Sequence, residues 1–357
     1  MAGRSMDGLR MGAHGLTART LAPMAAAMAL GAAAALASPP PDYDFDWATI
    51  GNINNRAYDR EDPYGETVGR GSVPYVYRMS RMEITTAQWR EFANAMAVLG
   101  ETFRIGDGPD FWGAWRTGGP GGPFTLRPDI ANPETMPVIG ISWYNAARYC
   151  NWLHNGKALS LDALVTGAYD TTTWRIDPNT GRQLADEHHL PGAKFWIPTR
   201  SEWVKAAHYD PTKDGEGGWW LYPNQTDTPL VFDTVANGGQ SNATLRPGDD
   251  LSIHGLGLYP DQQSYYGLLD LSGGAMEWLE DFLDDPRLSQ ASRRIDGTTT
   301  LRSFGAVSID LAFEFFGIGA FDESLTGFRI ASDAPAPSTV APLLIVFTIN
   351  AQRRRRS

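Results

Sequence analysis

The chain has 357 residues, 42% hydrophobic and 20% charged, a globular composition that excludes a disordered or collagen-like polymer. Its formal charge is −11; setting aside three arginines and one aspartate before residue 38 and four arginines at the end leaves 23 basic against 40 acidic residues, a body of −17. Such acidity argues against nucleic acid as a partner, because phosphate contacts need clustered Lys and Arg, and a single cysteine, Cys150, excludes a disulfide framework, a cysteine zinc site and a cysteine-ligated cluster.

In chain order, scattered arginines precede an apolar run of 17 residues, Leu21 to Ala37, that closes on Ala35-Leu36-Ala37. This small-x-small ending predicts a secretory leader, residues 1–37, cut by signal peptidase; the run is shorter than the ~20 strongly apolar residues of a membrane span. Residues 38–72 form an acidic, aromatic lead-in. Alternation predicts a strand over 73–79. Trp89, Phe92, Ala93 and Met96 share one helical face, with Gly100 as the stop. Residues 106–128 read as a Gly/Pro/aromatic loop, and Pro137–Ile141 as a short strand. Ser142 caps a second helix with Trp143, Ala146, Ala147, Cys150 and Leu153 on one face. Residues 155–190 are an insert with a hairpin near Asp177–Gly181. Thr199-Arg200-Ser201-Glu202 is a capping box for a third helix through Ala207. From there to Ala331 the sequence reads as loops and short strands, an α+β pattern overall.

The order of blocks resembles the formylglycine-generating enzyme, or sulfatase-modifying-factor, family. Arg81-Met82-Glu83-Ile84-Thr85-Thr86-Ala87-Gln88-Trp89 is similar to its opening "E-V-T-N-A-Q-Y". Met136 to Leu153 resembles "P-V-x-x-V-S-W-x-x-A-x-x-Y-C-x-W", and Trp196 to Trp203 resembles "R-L-P-T-E-A-E-W". Tyr266 to Trp278 resembles "Y-G-L-Y-D-M-x-G-N-V-W-E-W", and Gly327-Phe328-Arg329 closes the series. The resemblance implies one irregular α+β, C-type-lectin-like domain over 73–333. Trp89, Trp143, Trp152, Trp203 and Trp278 are expected in its core, with Cys150 a buried structural thiol.

Oxidase members of that family bind copper(I) through two cysteines between an "R-G-G-S" block and the closing Gly-Phe-Arg. Here Leu301 to Thr326 contains no cysteine, and Ser308 is too hard and too weakly acidic to replace a thiolate, which argues against copper. His188 and His189 are adjacent; on a strand they would face opposite sides, so joint metal ligation is not expected. The resemblance also implies a calcium site. Carried over residue by residue, its ligands are the Asp270 side chain, the Gly273 and Ala275 carbonyls and the Glu277 carboxylate, with Gly274 standing where the family has Asn. A second cation site would start at Asn237 and Gly238 and draw on Asp249 or Asp250. Oxygen-only ligation suits a hard cation.

The tail, residues 334–357, holds Pro335-Ala336-Pro337-Ser338-Thr339, an apolar stretch Val340–Ile349 and Arg353–Arg356. About 10–12 residues of helix cover only ~15–18 Å, short of the ~30 Å hydrocarbon core. The tail resembles the PEP-CTERM sorting signal, with Ala336 in place of the usual Glu. That implies an exosortase as processing enzyme, only transient membrane contact, and a place on the surface or in the matrix of a Gram-negative bacterium. The expectation is a secreted, non-catalytic, calcium-stabilised binding or structural module; the alternative is a diverged metal-dependent oxidoreductase of the same family. A glycan or protein is the expected partner. The loop Phe111–Phe124, with Trp112 and Trp115, is either its contact surface or core.

Overall fold

The computed structural model describes residues 39–59, 68–101, 112–176, 183–184, 188–242, 255–273, 275–283, 292–296 and 326–335. In chain order the strands are β1 (Trp47–Ile50), β2 (Tyr77–Ser80), β3 (Ala114–Arg116), β4 (Phe124–Leu126), β5 (Arg175–Ile176), β6 (Gln183–Leu184), β7 (Phe195–Trp196), β8 (Tyr209–Asp210), β9 (Gly218–Trp219), β10 (Met276–Leu283), β11 (Ser292–Asp296), β12 (Thr326–Gly327) and β13 (Ala331–Asp333). The helices are α1 (Thr86–Val98), α2 (Trp143–His154), α3 (Asp162–Val165) and α4 (Arg200–His208). A sheet of order β1-β2-β13-β7 brings the two ends of the domain together, with Ala331 opposite both Met79 and Trp196. A second sheet of order β11-β10-β12 pairs β10 parallel to β12.

The three long helices start where their caps place them. Thr85 and Gln88 form a capping box for α1, the Ser142 hydroxyl accepts from the Asn145 N–H for α2, and Thr199 with Glu202 boxes α4. The predicted apolar faces are buried: Trp89, Phe92, Ala93 and Met96 on α1, and Trp143, Ala146, Ala147, Cys150 and Leu153 on α2. The aromatic rings meet mostly edge-to-face or tilted, as their quadrupoles favour: Trp89 lies 5.0 Å from Phe92, and Tyr149 5.3 Å from Phe92 and 5.6 Å from Phe328. All five tryptophans expected in the core are buried. Burial also pushes the Cys150 thiol well above its ordinary value, which suits a packing role.

Several expectations need correction. The strand read over 73–79 begins only at Tyr77; Pro74 carries no N–H, and Tyr75 and Val76 are exposed. Pro137–Ile141 is buried and apolar but is no strand beyond one bridge, Pro137 to Thr85. Gly140, at φ +80, turns the chain so that its N–H donates to the Thr326 carbonyl. The turn proper of the hairpin, residues 177–182, lies outside the described residues, while its arms β5 and β6 pair antiparallel. The run of short strands after Ala207 hides one long element, β10, whose eight residues carry the chemistry below.

Candidate functional site

Strand β10 and the turn before it, residues 270–277, are tied into the domain through their polar groups. Asp270 sits in the left-handed region, φ 55, and its Oδ2 accepts from the Gly257 N–H at 2.8 Å. The Ser272 carbonyl accepts from the Ser241 hydroxyl. Gly273 has φ +115, and a Cβ there would stand 2.0 Å from Asn242 Oδ1, so no other residue fits this turn unstrained. The Ala275 N–H donates to Glu83 Oε1 at 2.9 Å, reaching across 192 positions of sequence.

Glu277 is clamped by Arg329 in a bidentate pair, Nε to Oε2 and Nη2 to Oε1, each 2.7 Å, and Trp203 Nε1 adds 2.9 Å to Oε2. The remaining guanidinium bonds run to the carbonyls of Ser80 and Arg81 from Nη1 and of Leu269 from Nη2. Arg329 thus makes five bonds, matching its donor count, in a position with no solvent exposure. Burial acts against its charge, but Glu277, Glu83 and Asp270 outweigh it and hold its pKa above the ordinary value.

The carboxyls around it are less well served. Glu83 is buried, and its Oε2 has no hydrogen-bond partner. Desolvation, then the neighbouring Glu277, pushes its acid well above the usual carboxylate range. Asp270 is half-buried and pushed up to about 6, chiefly by desolvation. Three carboxyls therefore share one guanidinium. Fully ionised, they leave two negative charges uncompensated in a low-dielectric region, a cost that protons or a divalent cation would relieve.

The calcium ligands carried over from the family divide in this structure. Asp270, Gly273, Ala275 and Glu277 share the one turn, and Glu277 Oε1 accepts a single hydrogen bond, which leaves that oxygen a lone pair. Asn237 and Gly238 lie in a separate, exposed turn where Asn237 Nδ2 donates to Asp233 Oδ1 at 2.9 Å. Asp249 and Asp250 lie outside the described residues. Among the described residues no three histidine, cysteine, aspartate or glutamate side chains converge on a metal point, so a cation held here would draw on backbone and amide oxygens too.

Further along β10, buried Glu280 gathers a second set of donors. Its Oε1 accepts from the Tyr169 hydroxyl at 3.0 Å, the His189 N–H at 2.6 Å and His189 Nδ1 at 2.8 Å, and His188 Nδ1 stands 3.8 Å from Oε2. The His189 ring stacks on Trp196 with centroids 4.7 Å apart. Residues 188–190 are not a strand, so nothing holds the two rings on opposite sides, and both stand near one carboxylate. Of the aromatic loop, Trp112 is core, edge-on to Phe124, while Trp115 is 45% exposed with Arg127 5.9 Å over its ring.

Glu83, Arg329 and Glu280 were not singled out from sequence. Glu83 and Arg329 lie within the family-like opening and closing blocks, and Glu280 follows the Glu277-Trp278 pair by two residues; their polar role was the available signal.

The solved structure of CarF matches with a TM-score of 0.50 at 18% identity, covering 81% of this chain and 98% of its own. Treponema denticola variable protein 1 matches at 0.47 and 15%, covering 81% and 95%, and PvdO from Pseudomonas aeruginosa at 0.41 and 13%, covering 81% and 92%. No curated protein matches the chain by sequence. The sulfatase-modifying factor enzyme 1-like domain family matches over residues 50–334, from β1 to just beyond β13 and so across the whole Arg329 network, and the chain belongs to that family.

Proposed function

We propose that this chain is a secreted member of the family that does no copper chemistry and serves as a calcium-stabilised binding or structural module at the cell surface or in the extracellular matrix. The observation that carries the reading is the charge imbalance beside Arg329. A divalent cation at the Asp270–Glu277 turn would answer the negative charge that Arg329 leaves uncompensated when Asp270 and Glu83 ionise beside Glu277. The Asp270 carboxylate, the Gly273 and Ala275 carbonyls and the open lone pair of Glu277 Oε1 would hold it, all hard oxygens. The cysteine-free stretch Leu301–Thr326 and the buried, poorly acidic Cys150 support the non-catalytic half of the reading. The leader-like start and the arginine-ended tail support export by signal peptidase and sorting by an exosortase. Half-exposed Trp115, flanked by Arg127, is the contact surface we assign to a glycan or protein partner.

The test uses the chain purified from a secreting host. Copper(I), oxygen and a cysteine peptide are supplied, and mass spectrometry follows the thiol. The expected outcome is no aldehyde product, with calcium and not copper retained on elemental analysis. Aldehyde formation, or copper bound one to one, would overturn the reading.

A further inference from the structure

Strands β3 and β4 pair only with each other, with Trp115 opposite Thr125 and Arg116 opposite Phe124. The ladder runs one pair further, because the Arg127 N–H donates to the Gly113 carbonyl at 2.9 Å. Residues directly opposite share a face, and alternate positions return to it. The inner face therefore carries buried Ala114 and Phe124, with the Arg116 guanidinium 4.5 Å over the Phe124 ring. The outer face carries Trp115, Thr117, Thr125 and Arg127. Its indole is 45% exposed, a flat apolar plate open to solvent. Arg127, 5.9 Å from the centre of that ring, is itself held by Asp129, Nη2 to Oδ2 at 2.6 Å and Nε to Oδ1 at 3.3 Å. At the far end a Cβ on Gly113 would stand 1.8 Å from the Pro133 carbonyl, so the Pro133 backbone closes the face there.

The charges on this face decide between occupants. The Arg127–Asp129 pair cancels itself, the indole face carries the negative side of its quadrupole, and the body of the chain stands at −17, so an anionic polymer gains nothing here. A protein partner wants a central cluster of apolar anchors, and one ring among hydroxyls and an ion pair does not supply it. A sugar ring fits on both counts. The C–H bonds of one pyranose face lie against the indole, and its hydroxyls, each both donor and acceptor, meet the threonine hydroxyls, the guanidinium N–H groups and the Asp129 carboxylate. We infer that the outer face of the β3–β4 ribbon binds an uncharged pyranose polysaccharide, with Trp115 as the stacking platform and the Arg127–Asp129 pair as the clamp on its hydroxyls. The inference rests on the binding-module reading of the preceding section and narrows its partner to a neutral glycan.

Affinity electrophoresis of the full secreted chain at one calcium concentration tests this, in gels holding a neutral β-glucan, mannan or dextran and, in parallel, alginate or hyaluronate. Retardation by at least one neutral polymer and by neither acidic one is expected. Trp115→Ala is expected to weaken that retardation about tenfold or more, and Trp115→Tyr, which keeps a ring, to restore most of it. Both variants are expected to melt within about 2 °C of the unmodified chain, since the indole stands on an exposed face; Asp129→Asn, which unbalances the clamp and removes no packed ring, is expected to weaken retardation several-fold. If a neutral polymer retards the unmodified chain and all three variants equally, the ribbon assignment falls and the glycan-binding reading stands. Retardation by the acidic polymers alone, or by none, overturns the neutral-glycan inference and leaves the binding-module reading to a different partner.

Discussion

Replacing Arg329 with methionine is expected to destabilise the domain by about 3–5 kcal/mol, because one partner of a fully buried pair is removed and the other stays behind. Glu277 would lose two of its three donors and keep only Trp203. The carbonyls of Ser80, Arg81 and Leu269 would lose theirs as well. Those carbonyls come from the end of β2, the residue after it and the segment just before the turn, so the loss reaches three places far apart in sequence. At roughly 2–4 °C per kcal/mol for a domain of this class, the melting temperature is expected to fall by about 6–20 °C. Adding Glu277→Leu to Arg329→Met is expected to restore part of the loss, since a buried pair replaced by apolar groups is far better tolerated than half a pair. A melting temperature within about 2 °C of the unmodified chain, both read by calorimetry at one calcium concentration, would contradict the central place given to Arg329.

Glu280→Ala is expected to be the second most damaging change, about 3 kcal/mol, because the Tyr169 hydroxyl and the His189 N–H and ring all lose a buried charged acceptor. Its pH signature separates it from a simple cavity. Burial acts against charge on His189, yet its hydrogen bond to Glu280 and the carboxylate's charge hold its pKa above the ordinary 6.5. For Glu280, burial is likewise outweighed by the histidine and Tyr169 hydrogen bonds, and its pKa lies below 4.5. A histidine raised in the folded state stabilises fully below 6.5 and loses that contribution as pH rises through its folded value. A glutamate depressed in the folded state stabilises fully above 4.5 and loses it as pH falls through its folded value. The pair therefore contributes most between pH 4.5 and 6.5. The difference in unfolding free energy between the unmodified chain and Glu280→Ala or His189→Asn, measured against pH, is expected to be largest in that window. A profile identical in shape for all three proteins would show that the pair does not form.

What the sequence made legible follows from the range of each interaction. Helices α1, α2 and α4 announce themselves through caps and 3.6-residue periodicity, all within a dozen positions, and they form where expected. Strand β10 was hidden because Glu277, Trp278, Leu279 and Glu280 are all buried, so no alternation marks the element. The α+β class and the family were legible because whole blocks carry them. At the site, Asp270 and Glu277 could be named, but their partners could not be read from spacing. Glu83 meets Ala275 across 192 positions. What spacing could not give for the His188–His189 pair is its partner, Glu280, which lies 91 positions beyond His189.

The most direct measurement is the thermal unfolding of the full secreted chain, scanned by calorimetry in calcium and again after exhaustive chelation, at one pH and ionic strength. The calcium reading predicts a melting temperature that rises with calcium concentration, as mass action requires of a ligand bound only by the folded state, and a rise that disappears in Asp270→Ala. Superimposable scans with and without calcium would contradict it, and would leave the negative charge around Arg329 to be balanced by protons alone.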